Sequence, residues 1–221
     1  MKRHLGLTFI IALMSAMIFG CGNVKIDESL PDNERFKVEY ESNNGKIDDH
    51  MQKMRAVSVP SDNPIVYVTC ADVVQMVDAG ETFWLYCGFT KCPWCRGNVE
   101  AMLEAAKKCN ISKIYYLDVY TCRDTYELKN GTPKLKTNGD DNYMKLIELF
   151  GSVLDDYTLY ADNDEKVNVG EKRIYAPNVI YVNNGQAEKL TTGSDAFDDP
   201  YGEISQELHD LQIEEFVNFF G

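Results

Sequence analysis

A chain of 221 residues has room for one substantial domain with small decorations, since domains typically run to about 100–200 residues. Its 44% hydrophobic and 11% aromatic content excludes a polypeptide that is disordered, collagen-like or of low complexity throughout. With 35 acidic against 22 basic residues and a net charge of −13, the chain repels phosphate backbones, so nucleic acid is not expected as a partner.

Residues 1–20 read as an export signal. Lys2 and Arg3 precede an uncharged, largely apolar stretch from Leu5 to Phe19. That stretch falls short of the about 20 residues a bilayer span requires, and no other segment approaches that length. Gly20-Cys21, a small residue directly before a cysteine at the edge of the apolar run, resembles the lipobox of bacterial lipoproteins. The resemblance implies a diacylglyceryl group on Cys21, cleavage before it, and a protein anchored on the outer face of the cytoplasmic membrane. An ordinary signal peptide that leaves Cys21 as a plain thiol is the alternative.

Residues 21–60 are rich in Asn, Asp, Glu, Lys and Ser and read as a tether with a weakly structured extension. Within it, Phe36 to Tyr40 alternates with period two, while Ile47, Met51 and Met54 stand at i, i+4 and i+7. The main domain is expected over 61–221. Ile65 to Val68 predicts a strand, Asp72 to Ala79 a helix stopped by Gly80, and Thr82 to Phe89 a strand apolar enough to be covered on both faces. A helix with Val99, Met102, Leu103 and Ala106 on one side follows, then a strand over Lys113 to Tyr120, completing a βαβαβ unit.

Residues 121–175 are too many for a bare loop and predict an inserted helical subdomain. Its first part is turn-rich, its helix is expected around Met144 to Phe150, and an acidic stretch carries Asp155, Asp156, Asp162, Asp164 and Glu165. These acids lack the glycine-centred twelve-position loop that binds calcium. Such an insertion is expected to cover an edge or end of the sheet and frame the active-site side. Asn178 to Val182 then predicts a strand, Asn183-Asn184-Gly185-Gln186 a hairpin turn, and Glu188 to Thr192 its partner. Ile204, Leu208, Leu211, Val217 and Phe220 mark a C-terminal helix.

Chemistry concentrates in Cys92-Pro93-Trp94-Cys95, at a strand-to-helix junction. Free amides and the positive end of the helix dipole favour a thiolate at Cys92, and Lys91 and Arg96 add positive charge nearby. Pro93 suits the first helical position, where its missing N–H loses nothing. Trp94 offers an aromatic surface to a substrate or covers the helix end. No second Cys-x-x-Cys is present and His50 and His209 are isolated, so neither a metal nor another cofactor is expected. A purely structural Cys92–Cys95 disulfide stays open. Of the other cysteines, Cys87 reads as a small buried hydrophobe, Cys70 as a plain thiol, and Cys109 and Cys122 as either free or bridged to each other.

The order strand, Cys-x-x-Cys, helix, strand, insertion, Pro177, hairpin, helix resembles the thioredoxin fold: an α/β mixed sheet flanked by helices, here with a helical insertion before the C-terminal hairpin. The resemblance implies that Cys92 is the exposed nucleophile, that Cys95 is the buried resolving thiol, and that a cis Pro177 with Ala176 presents backbone to an extended substrate. Gly88-Phe89-Thr90-Lys91-Cys92-Pro93-Trp94-Cys95 and Gly170-Glu171-Lys172-Arg173-Ile174-Tyr175-Ala176-Pro177 are similar to thioredoxin-like lipoproteins of Gram-positive bacteria, including those named bacteriocin transport accessory proteins. Implied partners are exported proteins or peptides containing cysteines and a redox partner protein, with the lipid anchor holding the chain to the membrane. A non-catalytic binding or accessory module is the alternative. Where thioredoxins carry a buried aspartate six positions before the first cysteine, this chain has Tyr86, which leaves Asp118 and Lys113 as candidates to handle the Cys95 proton.

Overall fold

A computed structural model describes residues 27–221; the expected signal peptide and Cys21 lie outside the described residues. The chain begins with α1 (Asp32–Glu41), β1 (Ile65–Tyr67) and α2 (Cys70–Asp78). The Thr69 hydroxyl accepts from the Asp72 amide while the Asp72 carboxylate accepts from the Thr69 amide, a reciprocal box that fixes the start of α2. β2 (Phe83–Gly88), α3 (Pro93–Lys108) and β3 (Ile114–Asp118) complete the βαβαβ unit. The insertion follows as β4 (Thr125–Lys129), β5 (Thr132–Thr137), α4 (Asp141–Phe150), β6 (Asp155–Tyr160) and β7 (Lys166–Arg173). Then come β8 (Asn178–Asn183), β9 (Gln186–Thr191) and α5 (Gln206–Phe220). Asn184 and Gly185 both take positive φ, the backbone that a two-residue turn between β8 and β9 requires.

The central sheet has the order β1-β3-β2-β8-β9. β1 and β2 both run parallel to β3, with Ile65 opposite Ile114 and Leu85 opposite Tyr115, while β8 runs antiparallel to β2 and β9 antiparallel to β8. Because side chains alternate along a strand, β2 feeds two cores. Phe83, Leu85 and Cys87 enter a layer with residues of α2 and α4, whereas Tyr86, with Tyr116 and Ile114 of β3, enters a layer with α1, α3 and α5. This is a thioredoxin-like α/β core of a mixed sheet between helices, carrying helix and strand insertions.

Two local expectations change. Phe36 to Tyr40 lies inside α1, where Phe36 and Tyr40 stand one helical turn apart and are both wholly buried in the core. Burying two rings on a shared helical face outweighs any preference for an extended edge. Ile47, Met51 and Met54 share no helix: Ile47 bridges Lys53 across a tight turn, and Met51 at positive φ is 82% exposed. The insertion contains the expected helix, α4, which packs on α2 through Leu146, Ile147 and Phe150. It also contains two hairpins, each a separate two-stranded sheet that adds no strand to the central one. A buried ion pair between Arg173 and Asp124 ties β7 to the segment before β4, with the guanidinium stacked 3.9 Å from the Tyr157 ring centroid.

Candidate functional site

β2 ends at Gly88, a short loop turns the chain, and Cys92 is the N-cap of α3 with extended backbone angles. Pro93 occupies the first helical position, as its fixed φ suits. An N-cap side chain points back over the open helix amides, so the Cys92 sulfur accepts a hydrogen bond from the Cys95 amide at 3.4 Å. On its other side the Cys92 thiol donates to the Ala176 carbonyl at 3.2 Å. The Ala176–Pro177 peptide bond is cis. Two segments 84 residues apart are thereby brought onto one sulfur.

Cys92 is 4% exposed and Cys95 0%, so the nucleophile implied by the resemblance is the outer of the two sulfurs but is itself covered. The segment before Pro177 accounts for that cover, since its carbonyl lies directly against the thiol. The two thiols are tuned in opposite directions. A hydrogen bond from Cys95 holds Cys92 below the ordinary thiol range against the opposing effect of burial, with further help from the Cys95 and Trp94 amides and the Arg123 charge. Burial, reinforced by the neighbouring Cys92 sulfur, pushes Cys95 well up.

Behind Cys95 stands a group of buried phenols. A Cβ on Gly88 would lie 2.9 Å from the Tyr86 hydroxyl oxygen and 3.1 Å from the Cys95 sulfur, so this position accepts no side chain. The Tyr86 hydroxyl stands beside the Cys95 sulfur over Gly88 and pairs with the Tyr40 hydroxyl at 2.7 Å. Burial raises the titration of Tyr40, Tyr86 and Tyr116 well above the ordinary phenol range, so all three are neutral hydroxyls. Tyr116, its ring 5.3 Å from that of Tyr86, has no hydrogen-bond partner for its hydroxyl among the described residues.

The remaining candidates divide. Trp94, 38% exposed, meets Phe197 edge-on at 5.3 Å, and the two join Ala176, Pro177, Tyr175 and Asp155 around a groove of about 340 Å³. Lys91 is exposed on the turn. Arg96 is 1% exposed, and its guanidinium is occupied by the carbonyls of Arg55, Tyr40 and Thr90 and the side chain of Asn44. Arg96 is therefore a clamp between α3, α1 and the loop before Cys92, and the cation felt by Cys92 includes Arg123, which sequence reasoning did not single out. Arg123 lies over the Phe89 and Tyr120 rings, and its Nε has no hydrogen-bond partner among the described residues. Asp118, held protonated to higher pH by burial, lines a cavity shared with Cys70 and Cys122. Lys113 precedes β3, at the opposite end of the sheet from Cys92, with its ammonium against Tyr115. A Cys109–Cys122 bridge does not fit, because Cys109 packs on the α3/α5 layer and Cys122 on the α2/α4 layer across the sheet.

Among the described residues, no group of three or more His, Cys, Asp or Glu is arranged to hold a metal ion, and no helix is long and apolar enough to cross a membrane. No protein-family model matches the chain, and no curated protein matches it either. The fold and site together define a thioredoxin-like core with a closely spaced cysteine pair at the mouth of a helix, an arrangement consistent with thiol–disulfide chemistry.

Proposed function

We propose that the protein is an extracytoplasmic thiol–disulfide oxidoreductase that exchanges disulfides with exported proteins or peptides through Cys92 and Cys95. The observation that carries this reading is the asymmetric pair: an outer sulfur favoured as thiolate at a helix N-terminus, backed by a buried sulfur held as thiol. The Cys92 thiolate attacks one sulfur of a substrate disulfide, forming a mixed disulfide and expelling the other sulfur as thiolate. Cys95 then loses its proton and attacks Cys92, closing Cys92–Cys95 and releasing the second substrate thiol. Run in reverse, the same steps donate a disulfide.

The Ala176 carbonyl, engaged by the Cys92 thiol in the free protein, becomes available when that proton leaves, and an extended substrate N–H can take it up. Trp94 and Phe197 supply an apolar wall to the same groove. Tyr86 takes the place of a buried carboxylate beside Cys95; as a neutral hydroxyl it donates to the developing thiolate and does not carry the proton away as a base would. We further propose that residues 1–20 are removed, that a lipid on Cys21 anchors the chain outside the cytoplasmic membrane, that 21–60 begins as its tether, and that its relatives are Gram-positive thioredoxin-like lipoproteins. The chain would then receive or pass electrons through a separate redox partner.

Cys95→Ala should accumulate a mixed disulfide between Cys92 and a disulfide-containing peptide, read by mass spectrometry after acid quench, whereas Cys92→Ala should accumulate none. Equal trapping by the two variants would refute the assignment. The near-complete cover of Cys92 favours one second reading, a binding module with a structural Cys92–Cys95 disulfide. Titration of the pair against glutathione separates the two: a structural disulfide resists reduction across the glutathione range, and an exchanging one does not.

A further inference from the structure

A second pair of thiols meets on the other layer of the same sheet. β1 and β3 are parallel neighbours, so their C-terminal ends lie at one edge; Cys70 follows β1 at the start of α2, and Cys122 follows β3. Cys70 and Cys122 face the same cavity, and the Cys122 thiol donates to the Asp118 carbonyl at 3.6 Å. Both line an open cavity of about 500 Å³ whose ionisable walls are Arg35, Glu39, Asp72, Asp118 and Asp140. The pair repeats the asymmetry of a working dithiol: Cys122 is partly exposed, whereas Cys70 is 5% exposed behind it. Their interaction draws Cys122 below the ordinary thiol range and pushes Cys70 above it. Cys87, wholly buried nearby, has no access to the cavity.

We propose that Cys122 and Cys70 form a second thiol–disulfide site, separate from Cys92 and Cys95, that reacts with low-molecular-weight disulfides carrying amino groups. A cavity of this volume admits a small molecule and not a folded protein. Four carboxyl groups against one guanidinium favour a cationic visitor over an anionic one. The Cys122 thiol gives up its proton and attacks the small disulfide, forming a mixed disulfide and expelling one thiolate, which takes up that proton. Cys70 attacks the Cys122 sulfur, its own proton passing to the second departing thiolate. The small disulfide is reduced to two thiols as the two cysteines are oxidised to one disulfide.

The test uses the full chain carrying Cys92→Ser and Cys95→Ser, so its outcome does not depend on the first site. Cystamine is added, the reaction is quenched in acid, and remaining thiols are alkylated before peptide mapping. The expected product is a Cys70–Cys122 linked peptide with loss of two hydrogens from the protein; adding Cys70→Ala should halt the reaction at a cysteamine adduct on Cys122. Glutathione disulfide, which is anionic, should react more slowly than cystamine. Full alkylation of both thiols, a stable cysteamine adduct on Cys122 with Cys70 present, or a link from Cys122 to Cys87 would overturn the site, and equal rates with the two disulfides would overturn the amino-group preference. If circular dichroism shows the serine variant unfolded, the same mapping on the unaltered chain distinguishes the two pairs by their peptides, and a Cys70–Cys122 link there supports the site while its absence refutes it.

Discussion

On the face of the sheet covered by α1, α3 and α5, Tyr86 and Tyr116 meet Tyr40, Arg96 and Cys95, and polar atoms are woven through the packing. On the opposite face, Leu85, Cys87, Ile180 and Val182 meet Val73, Val77, Leu146 and Phe150 in a layer that is nearly all hydrocarbon and sulfur. The first face fixes its groups by hydrogen bonds that are individually directional and collectively costly to break; the second fixes them by volume alone. Cys95 is therefore held in a polar, tuned setting, whereas Cys70 and Cys122 stand between the apolar layer and the rim of a cavity. Substitutions should expose this difference.

The largest effect is expected at Arg96. Arg96→Leu keeps the burial of the side chain and strands the carbonyls of Arg55 and Thr90, each costing about 1–3 kcal/mol when left unpaired, so its loss of stability in urea unfolding should match or exceed that of any truncation on the aliphatic face. Phe36→Ala comes next. Its ring contacts Tyr40 and Tyr116 at centroid distances of 4.5 Å and 5.0 Å, and removing a buried phenylalanine costs about 3–5 kcal/mol. A change below about 1 kcal/mol would mean that α1 is an appendage and not part of this core.

Tyr86→Phe should be milder and more informative. It leaves the Tyr40 hydroxyl buried without its 2.7 Å partner, at a cost of about 1–3 kcal/mol, and the double variant Tyr40→Phe, Tyr86→Phe should recover part of that loss because no buried hydroxyl of the pair remains. The kinetic readout is separate: the mixed disulfide on Cys92 should persist longer in Tyr86→Phe, since the Cys95 thiolate has lost a donor. Unchanged lifetimes would confine Tyr86 to packing.

The contrast between the faces also explains what the sequence disclosed. The βαβαβ unit, the β8–β9 turn and the Cys92-Pro93-Trp94-Cys95 corner rest on local patterns, namely apolar runs, Gly80, and Asn184-Gly185 at positive φ. The β4–β5 hairpin carries the same signal in Asn130-Gly131, also at positive φ, but its strands are short, β4 half-buried and β5 mostly exposed, and Tyr126 and Leu128 are the only large apolar residues of β4, too brief an alternation to stand out in a turn-rich stretch. α1 was hidden because only two of its residues are large and apolar; their i, i+4 spacing, with Asp32 and Glu34 in the first turn, was the available clue. Tyr40 and Arg123 were illegible as site residues, since their relation to Cys95 and Cys92 exists only after distant segments pack.

Asp118 and Arg123, at the C-terminal end of the sheet, set the smaller and purely electrostatic effects. Burial raises the Asp118 carboxyl above its ordinary value, so the folded state favours the protonated form: stability is greatest below the ordinary carboxylate range and falls as pH rises through it toward the raised folded value. Asp118→Asn should remove this slope, leaving the variant more stable relative to the parent at neutral than at acid pH. An identical pH profile for the two proteins would show that Asp118 gains as much from its bond to the Tyr120 amide as burial takes away.

The smallest predicted change is the one that bears most directly on the Cys92 sulfur. Cys92 is held below the ordinary thiol range first by the Cys95 hydrogen bond and only lastly by the Arg123 charge, so Arg123→Gln should move the pH midpoint of Cys92 alkylation upward without returning it to that of a free thiol. The linkage has a definite sign: a depressed thiol stabilises the reduced folded chain once pH exceeds the ordinary thiol value, and that stabilisation is lost as pH falls through the depressed one. Arg123→Gln therefore narrows the window in which the dithiol form gains over the disulfide, making the Cys92–Cys95 disulfide slightly harder to reduce. Arg123→Lys keeps the charge but loses the planar stacking on Phe89 and Tyr120, and should retain most of the shift if charge is the cause. A midpoint that moves equally in both variants would assign Arg123 to holding the loop in place, with the Cys92 thiolate then resting on the amides of α3 and on Cys95.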